Sequence, residues 1–109
     1  MNEQLINEGK TTAVVAYLTI IGALIALFMN MEPKNPFARF HIRQAFGIHI
    51  TYLALGLLIG FFDNWAVSIG FYIFIIALWI YGLVNAFQNS TTPVPLLGTY
   101  FQKWFQFIQ

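Results

Sequence analysis

The chain contains no cysteine and only nine charged side chains, 8% of its 109 residues, where an ordinary globular domain carries roughly 25%. Without cysteine there is no disulfide framework, no thiolate nucleophile and no cysteine-ligated zinc or iron–sulfur centre, so thiols say nothing of the redox compartment. A formal net charge of +1, with no run of five or more basic residues, excludes the usual signature of a nucleic-acid-binding surface. Nine charges are also too few to cover a soluble domain this small and keep it from aggregating. Nucleophile–base pairs, paired carboxylates and glycine-rich phosphate loops are missing as well. The chain reads as a non-enzyme without cofactor or metal.

What is present is apolar: 59% of residues are hydrophobic and 18% aromatic. Charge is absent over residues 11–31, 44–62 and 64–102, stretches of 21, 19 and 39 residues. A bilayer's hydrocarbon core, roughly 30 Å thick, takes about 20 apolar residues per helix. The expectation is therefore an all-α membrane protein, a single domain over 1–109, with three transmembrane helices at about 12–29, 42–62 and 65–87 and a C-terminal interfacial amphipathic helix at about 98–109.

Local signals place the boundaries. Thr11 or Thr12 is a plausible N-cap for the first span, which is expected to stay attached: Glu3 and Glu8 oppose Lys10 in its leader and no small-x-small cleavage site follows. The segment Asn30-Met31-Glu32-Pro33-Lys34-Asn35-Pro36 cannot continue a helix, and Asn35 then Pro36 reads as N-cap and first helical residue. Asp63-Asn64 makes a tight turn, with Asn64 capping the third span and Trp65 at the height of an aromatic belt. Pro93 and Pro95 break the chain again. Beyond Gly98, the residues Tyr100, Phe101, Trp104, Phe105 and Ile108 share one helical face, too short to span and too aromatic to float, which predicts an interfacial anchor. A tail packed on the other helices is the alternative.

Three crossings would put the first connection and the tail on one side, holding Lys34, Arg39, Arg43 and Lys103, with Lys10 alone on the other. The excess of cations marks the cytoplasm, so the expected orientation in a bacterial inner membrane is N-terminus out and C-terminus in.

The candidate site is the start of the second helix. Arg39 and Arg43, four apart, share a face and with Lys34 can grip an anionic headgroup or an acidic partner. His41 and Gln44 lie near another face, where His41 is either a pH-sensitive switch or a neutral imidazole bonded to the first loop or a neighbouring helix. His41 and His49, without a paired Asp, Glu or Cys, are a weak metal signal. Gly56 and Gly60 form a GxxxG and Gly22 adds a small position, which suits close helix packing within the chain or in a homo-oligomer. No charge lies deep in any span, which argues against a proton pump or ion-coupled carrier, and Thr19, His49, Thr51, Tyr52, Ser68 and Tyr72 read as packing groups.

In Pro36-Phe37-x-Arg39-Phe40-His41-x-x-Gln44-Ala45, preceded by Gly9-Lys10-Thr11 and by Ala16-Tyr17-Leu18-Thr19-Ile20-Ile21-Gly22, the chain resembles small bacterial membrane proteins related to the inner-envelope import component of chloroplasts, the Tic20-like family. The resemblance covers about residues 9–90 and implies that Pro36, Phe37, Arg39, His41, Gln44 and Ala45 are signature positions. It implies a link to protein translocation. The fourth span of the plastid pattern is replaced here by the short segment after Pro95. The expected function is a non-catalytic accessory subunit of a larger membrane complex, in contact with lipids and with another membrane protein, linked to export or envelope assembly. The alternatives are a homo-oligomeric protein-conducting pore and an anionic-lipid-binding envelope protein.

Overall fold

The computed structural model describes residues 2–108. They form five helices: α1 (Glu3–Leu18), α2 (Ile20–Met29), α3 (Pro36–Ile59), α4 (Trp65–Phe87) and α5 (Gly98–Trp104). Among the described residues there is no strand. The third expected span coincides with α4, and the second is α3, which begins at the Asn35 cap and ends before the Gly60–Asn64 turn. These two are long and apolar enough to cross a bilayer.

The first expected span, at about 12–29, is not one helix. Its cap is Asn2, not Thr11 or Thr12, and the helix stops at Leu18. Thr19 takes an extended backbone, closes α1 and caps α2, its Oγ1 accepting from Gly22 N–H at 3.1 Å. This single residue reverses the chain. A Cβ on Gly22 would strike the carbonyl oxygen of Val15, across the turn, whereas seven residues along a continuous helix would be about 10 Å apart. The buried face of α2, Gly22, Ala23 and Ala26, is built of small residues, as close antiparallel packing requires.

Neighbours along α3 give the same direction. Asn35 Nδ2 donates to Leu5 O at 2.8 Å and His49 Nε2 to Ala16 O at 3.0 Å, so α1 and α3 run parallel. Along α2 the order is opposite, with Leu27 near Ile42 and Ile20 near Ile48. Helices α1 and α2 are thus a hairpin that enters and leaves at one end of the molecule. At 1.5 Å per residue the ten residues of α2 reach about 15 Å, half of the hydrocarbon core. A continuous window of apolar residues does not distinguish a span from two half-length helices.

Breaking a helix inside a bilayer strands carbonyls that must find partners. Here the other two long helices supply them: His49 of α3 donates to Ala16 O, and Trp79 Nε1–H of α4 donates to Tyr17 O. The open end of the hairpin is clasped by asparagines. Asn35 N–H donates to Asn30 Oδ1 at 2.9 Å and Asn30 Nδ2 to Asn35 O at 3.2 Å, while Asn35 Oδ1 caps α3 through Ala38 N–H at 3.0 Å. Gly9 admits the Asn35 side chain, since a Cβ there would overlap it. Asn35→Ala is expected to destabilise the protein by about 1–2 kcal/mol, the loss of an N-cap and of the tie to Leu5. Asn35→Asp, which keeps the cap and loses the donor to Leu5, should recover part of that in denaturant titrations followed by circular dichroism.

α4 returns antiparallel to α3, with Phe71 beside Tyr52 and Ser90 beside His41. The N-terminal helix start, the 30–35 loop, the connector after α4 and the tail therefore lie at one end, and only the Gly60–Asn64 turn lies at the other. The expectation of termini on opposite sides required three crossings and does not hold.

The tail is also closer to the protein than the interfacial reading requires. α5 ends at Trp104, and Phe101 and Ile108 are buried, Phe101 on Gly47 of α3. Gln102 Nε2 donates to Phe40 O at 2.8 Å. Of the five residues expected on the anchoring face, Tyr100 and Trp104 face outward, while Phe101 and Ile108 are buried and Phe105 is half-buried against Phe46. Position 109 lies outside the described residues.

Candidate functional site

Tyrosine, histidine and glutamine in apolar helices must pair somewhere, because an unpaired buried polar group costs about 1–3 kcal/mol. Here they pair with one another. Tyr17 comes from the last turn of α1, and His41 and Gln44, three apart and so on one face, come from α3; all three are fully buried. The connector after α4 completes the set. Asn89, in the left-handed region at φ 61°, ends α4, and Ser90 N–H returns to Asn85 O at 2.8 Å. Ser90 O and Val94 N–H then meet α3.

The distances form one continuous chain. Val94 N–H donates to Gln44 Oε1 at 2.8 Å, Gln44 Nε2–H donates to the Tyr17 hydroxyl at 2.9 Å, that hydroxyl lies 2.6 Å from His41 Nδ1, and His41 Nε2 lies 2.7 Å from Ser90 O. A peptide N–H can only donate and a peptide carbonyl can only accept, so the two ends set the direction of every bond between them. The Tyr17 hydroxyl donates to Nδ1, and Nε2–H donates to Ser90. That assigns His41 as the neutral imidazole, with the tautomer following from its partners. Phe37 and Phe40 close round the ring edge-on, with centroids 4.7 and 5.1 Å away.

Helix α4 seals the other side: a Cβ on Gly82 would lie 2.6 Å from the Tyr17 ring. Tyr17 therefore joins α1, α3, α4 and the connector. Among the described residues no buried side-chain nitrogen or oxygen lacks a hydrogen-bond partner. Chemically the arrangement is a lock, because every polar side-chain atom in it already has a partner.

The basic residues have other surroundings. Arg43 Nε donates to Ile108 O at 2.9 Å and Nη2 to Gln106 O at 3.3 Å, tying the tail down. Arg39 is half-buried and Lys34 exposed. The six residues Pro36, Arg39, Phe40, Arg43, Thr91 and Gln102 line a cleft of about 230 Å³. His41 and Gln44, grouped with these cations in the sequence reading, are enclosed and cannot be reached by lipid or partner. Gly56 and Gly60 do not serve intrachain packing: Gly56 has only Phe71 near it, at 3.9 Å, and Gly60 only its own helix. Close approach happens instead at Gly9, Gly22, Gly47 and Gly82. Sequence reasoning missed Tyr17 as the hub, with Ser90, Val94 and Trp79; its one signal was the need of His41 and Gln44 for partners. Among the described residues no three His, Asp or Glu side chains converge as a metal site.

Fold and site together define a small all-helical membrane protein with two candidate spans and a buried polar lock at one end. Residues 8–101 match the model of the magnetosome magnetite crystal formation protein family, MamF/MmsF. The chain is also 31% identical over 105 residues to a UPF0132 membrane protein of Methanocaldococcus jannaschii, covering 91% of this chain and 71% of that one. The chain belongs to the MamF/MmsF family. This overturns the resemblance to the chloroplast import component, whose supposed signature, Pro36 to Ala45, holds here the first helical residue of α3 and two members of the buried lock, His41 and Gln44. No solved structure matches the chain.

Proposed function

We propose that the chain is a non-catalytic structural subunit of a larger membrane assembly, held with its cationic end in the cytoplasm. The supporting observation is the closed hydrogen-bond chain: the side chains of Tyr17, His41 and Gln44 face one another and backbone, and all three are fully enclosed, away from any surface where a substrate could be bound or turned over. Orientation follows from charge. Lys10, Lys34, Arg39, Arg43 and Lys103 all belong to the end that carries the termini, and Asp63 is the one charge at the other, which favours both termini inside.

The family's description concerns magnetite crystal formation in magnetosomes. For this chain we carry over only the role of membrane protein, which the name of the Methanocaldococcus jannaschii relative states. Purification from native membranes in mild detergent tests the proposal. A defined partner should co-elute in a fixed ratio, and a chain that migrates alone from freshly solubilised membranes counts against it.

A second reading has its own observation, the cleft between Arg39 and Arg43 beside Thr91. It has the size and charge for an anionic headgroup. Arg39→Ala is then expected to reduce several-fold the phosphatidylglycerol that stays bound through detergent exchange, measured by mass spectrometry of the extracted lipid. Unchanged retention removes this reading.

A further inference from the structure

We propose that this protein is a membrane wedge, which widens the leaflet at its cationic end and so favours membrane curved with that leaflet on the convex side. The proposal rests on the bilayer placement and not on the accessory-subunit reading. Its basis is the unequal filling of the two halves of the molecule. Helices α3 and α4 run the whole depth, but the α1–α2 hairpin enters only from the cationic end and stops half way, its tip Leu18–Thr19 reaching the level of His49 and Trp79.

Burial follows the same division. Eight residues of α3 are buried between Phe37 and Ile48. From Ile50 to Gly70, round the far turn, not one residue is buried, and Leu57, Phe61 and Trp65 are at least three-quarters exposed. At a diameter of about 10–12 Å, a helix occupies roughly 100 Å² of leaflet. Four helices thus cross one leaflet, about 400 Å², and two cross the other, about 200 Å². The tail adds to the width of that end, with Tyr100, Trp104 and Phe107 exposed on its outer surface.

The narrow end must be filled by something, and its surface is that of lipid-facing helices. Beneath the hairpin tip, Leu18, Ile48, Tyr52, Leu53, Ile75 and Ile76 line an apolar crevice of about 350 Å³, which suits acyl chains. The asymmetry is also rigid. The tip carbonyls are held by His49 and Trp79, the base is clasped by Asn30 and Asn35, and the lock fixes α1 on α3. A wedge that could splay open would relax its own asymmetry; three independent ties prevent that.

The test uses the full-length protein reconstituted into a mixture of small and large vesicles of phosphatidylcholine alone, which has no net charge to attract the cationic end. Density per unit area should be several-fold higher on the small vesicles. Because the chain lacks cysteine, Asn7→Cys, Asp63→Cys and Lys103→Cys each give one site for a membrane-impermeant maleimide. On small vesicles the residues at 7 and 103 should label from outside and the residue at 63 should be protected. Equal density on both vesicle sizes overturns the wedge, as does enrichment with position 63 outward. A homodimer sealed through the exposed α3 and α4 faces would equalise the two leaflets and give that equal density. Labelling of 7 and 103 from opposite sides overturns the hairpin itself.

Discussion

Replacing Tyr17 by Phe, the removal of one oxygen atom, is expected to lower the stability of the detergent-solubilised protein by about 1–3 kcal/mol. The hydroxyl accepts from Gln44 and donates to His41, so its loss strands a buried donor and a buried acceptor at once. Two unmatched groups would cost more in a water-based reckoning, but interhelical hydrogen bonds in membranes average only about 0.6 kcal/mol, because the unfolded chain finds partners too. The useful comparison is Tyr72→Phe, at a half-exposed tyrosine of α4, which should be near neutral. A double-mutant cycle with Gln44→Leu should show a coupling of about 1 kcal/mol, since the groups form one directed chain and either change breaks it. Additive effects would mean that the bonds act separately.

The second large effect is topological. Gly22→Leu forces a side chain onto the Val15 carbonyl across the hairpin, and backbone at that distance cannot rotate away as a flexible side chain can. The hairpin should open. Residues 11–31 are uncharged and, as one continuous helix, long enough to cross the bilayer, so opening offers the segment a second stable state. The N-terminal reporter at position 7 should move to the side opposite position 103, whereas in the parent both are on the same side. Gly56→Leu is the control: its position has room for a Cβ, and topology should not change. An unaltered Gly22→Leu topology with parental stability would contradict the tight crossing.

Legibility differed from element to element. α4 could be read residue for residue, because an asparagine cap and a glutamine exit bound a run with no competing break. Asn35 and Pro36 were legible for a similar reason: capping is decided within three or four residues. Thr19 was not. Its role as a turn depends on Gly22, Ala23 and Ala26 fitting against α1 and on His49 and Trp79 arriving to take the carbonyls the turn exposes, and neither condition is local. The ties of Arg43 to the tail depend on contacts more than sixty residues away and are not legible locally; Gly56 and Gly60 form a recognisable motif and yet mark no close helix crossing, while the single glycines at 9, 47 and 82 carry such contacts.

By itself the sequence determined the solvent and the stiff parts: scarce charge and long apolar runs demand a bilayer, and prolines and asparagines mark where helices start. Tertiary structure alone decided how many of those runs form a helix long enough to cross. A run of 21 uncharged residues is favourable in hydrocarbon either as one full span or as two half-depth helices, provided every backbone carbonyl has a donor. The donors that select the second form lie about 30 and 60 residues further along the chain, in α3 and α4. Their arrival brings the start of α1 and the tail to one end of the molecule, and all five cations with them.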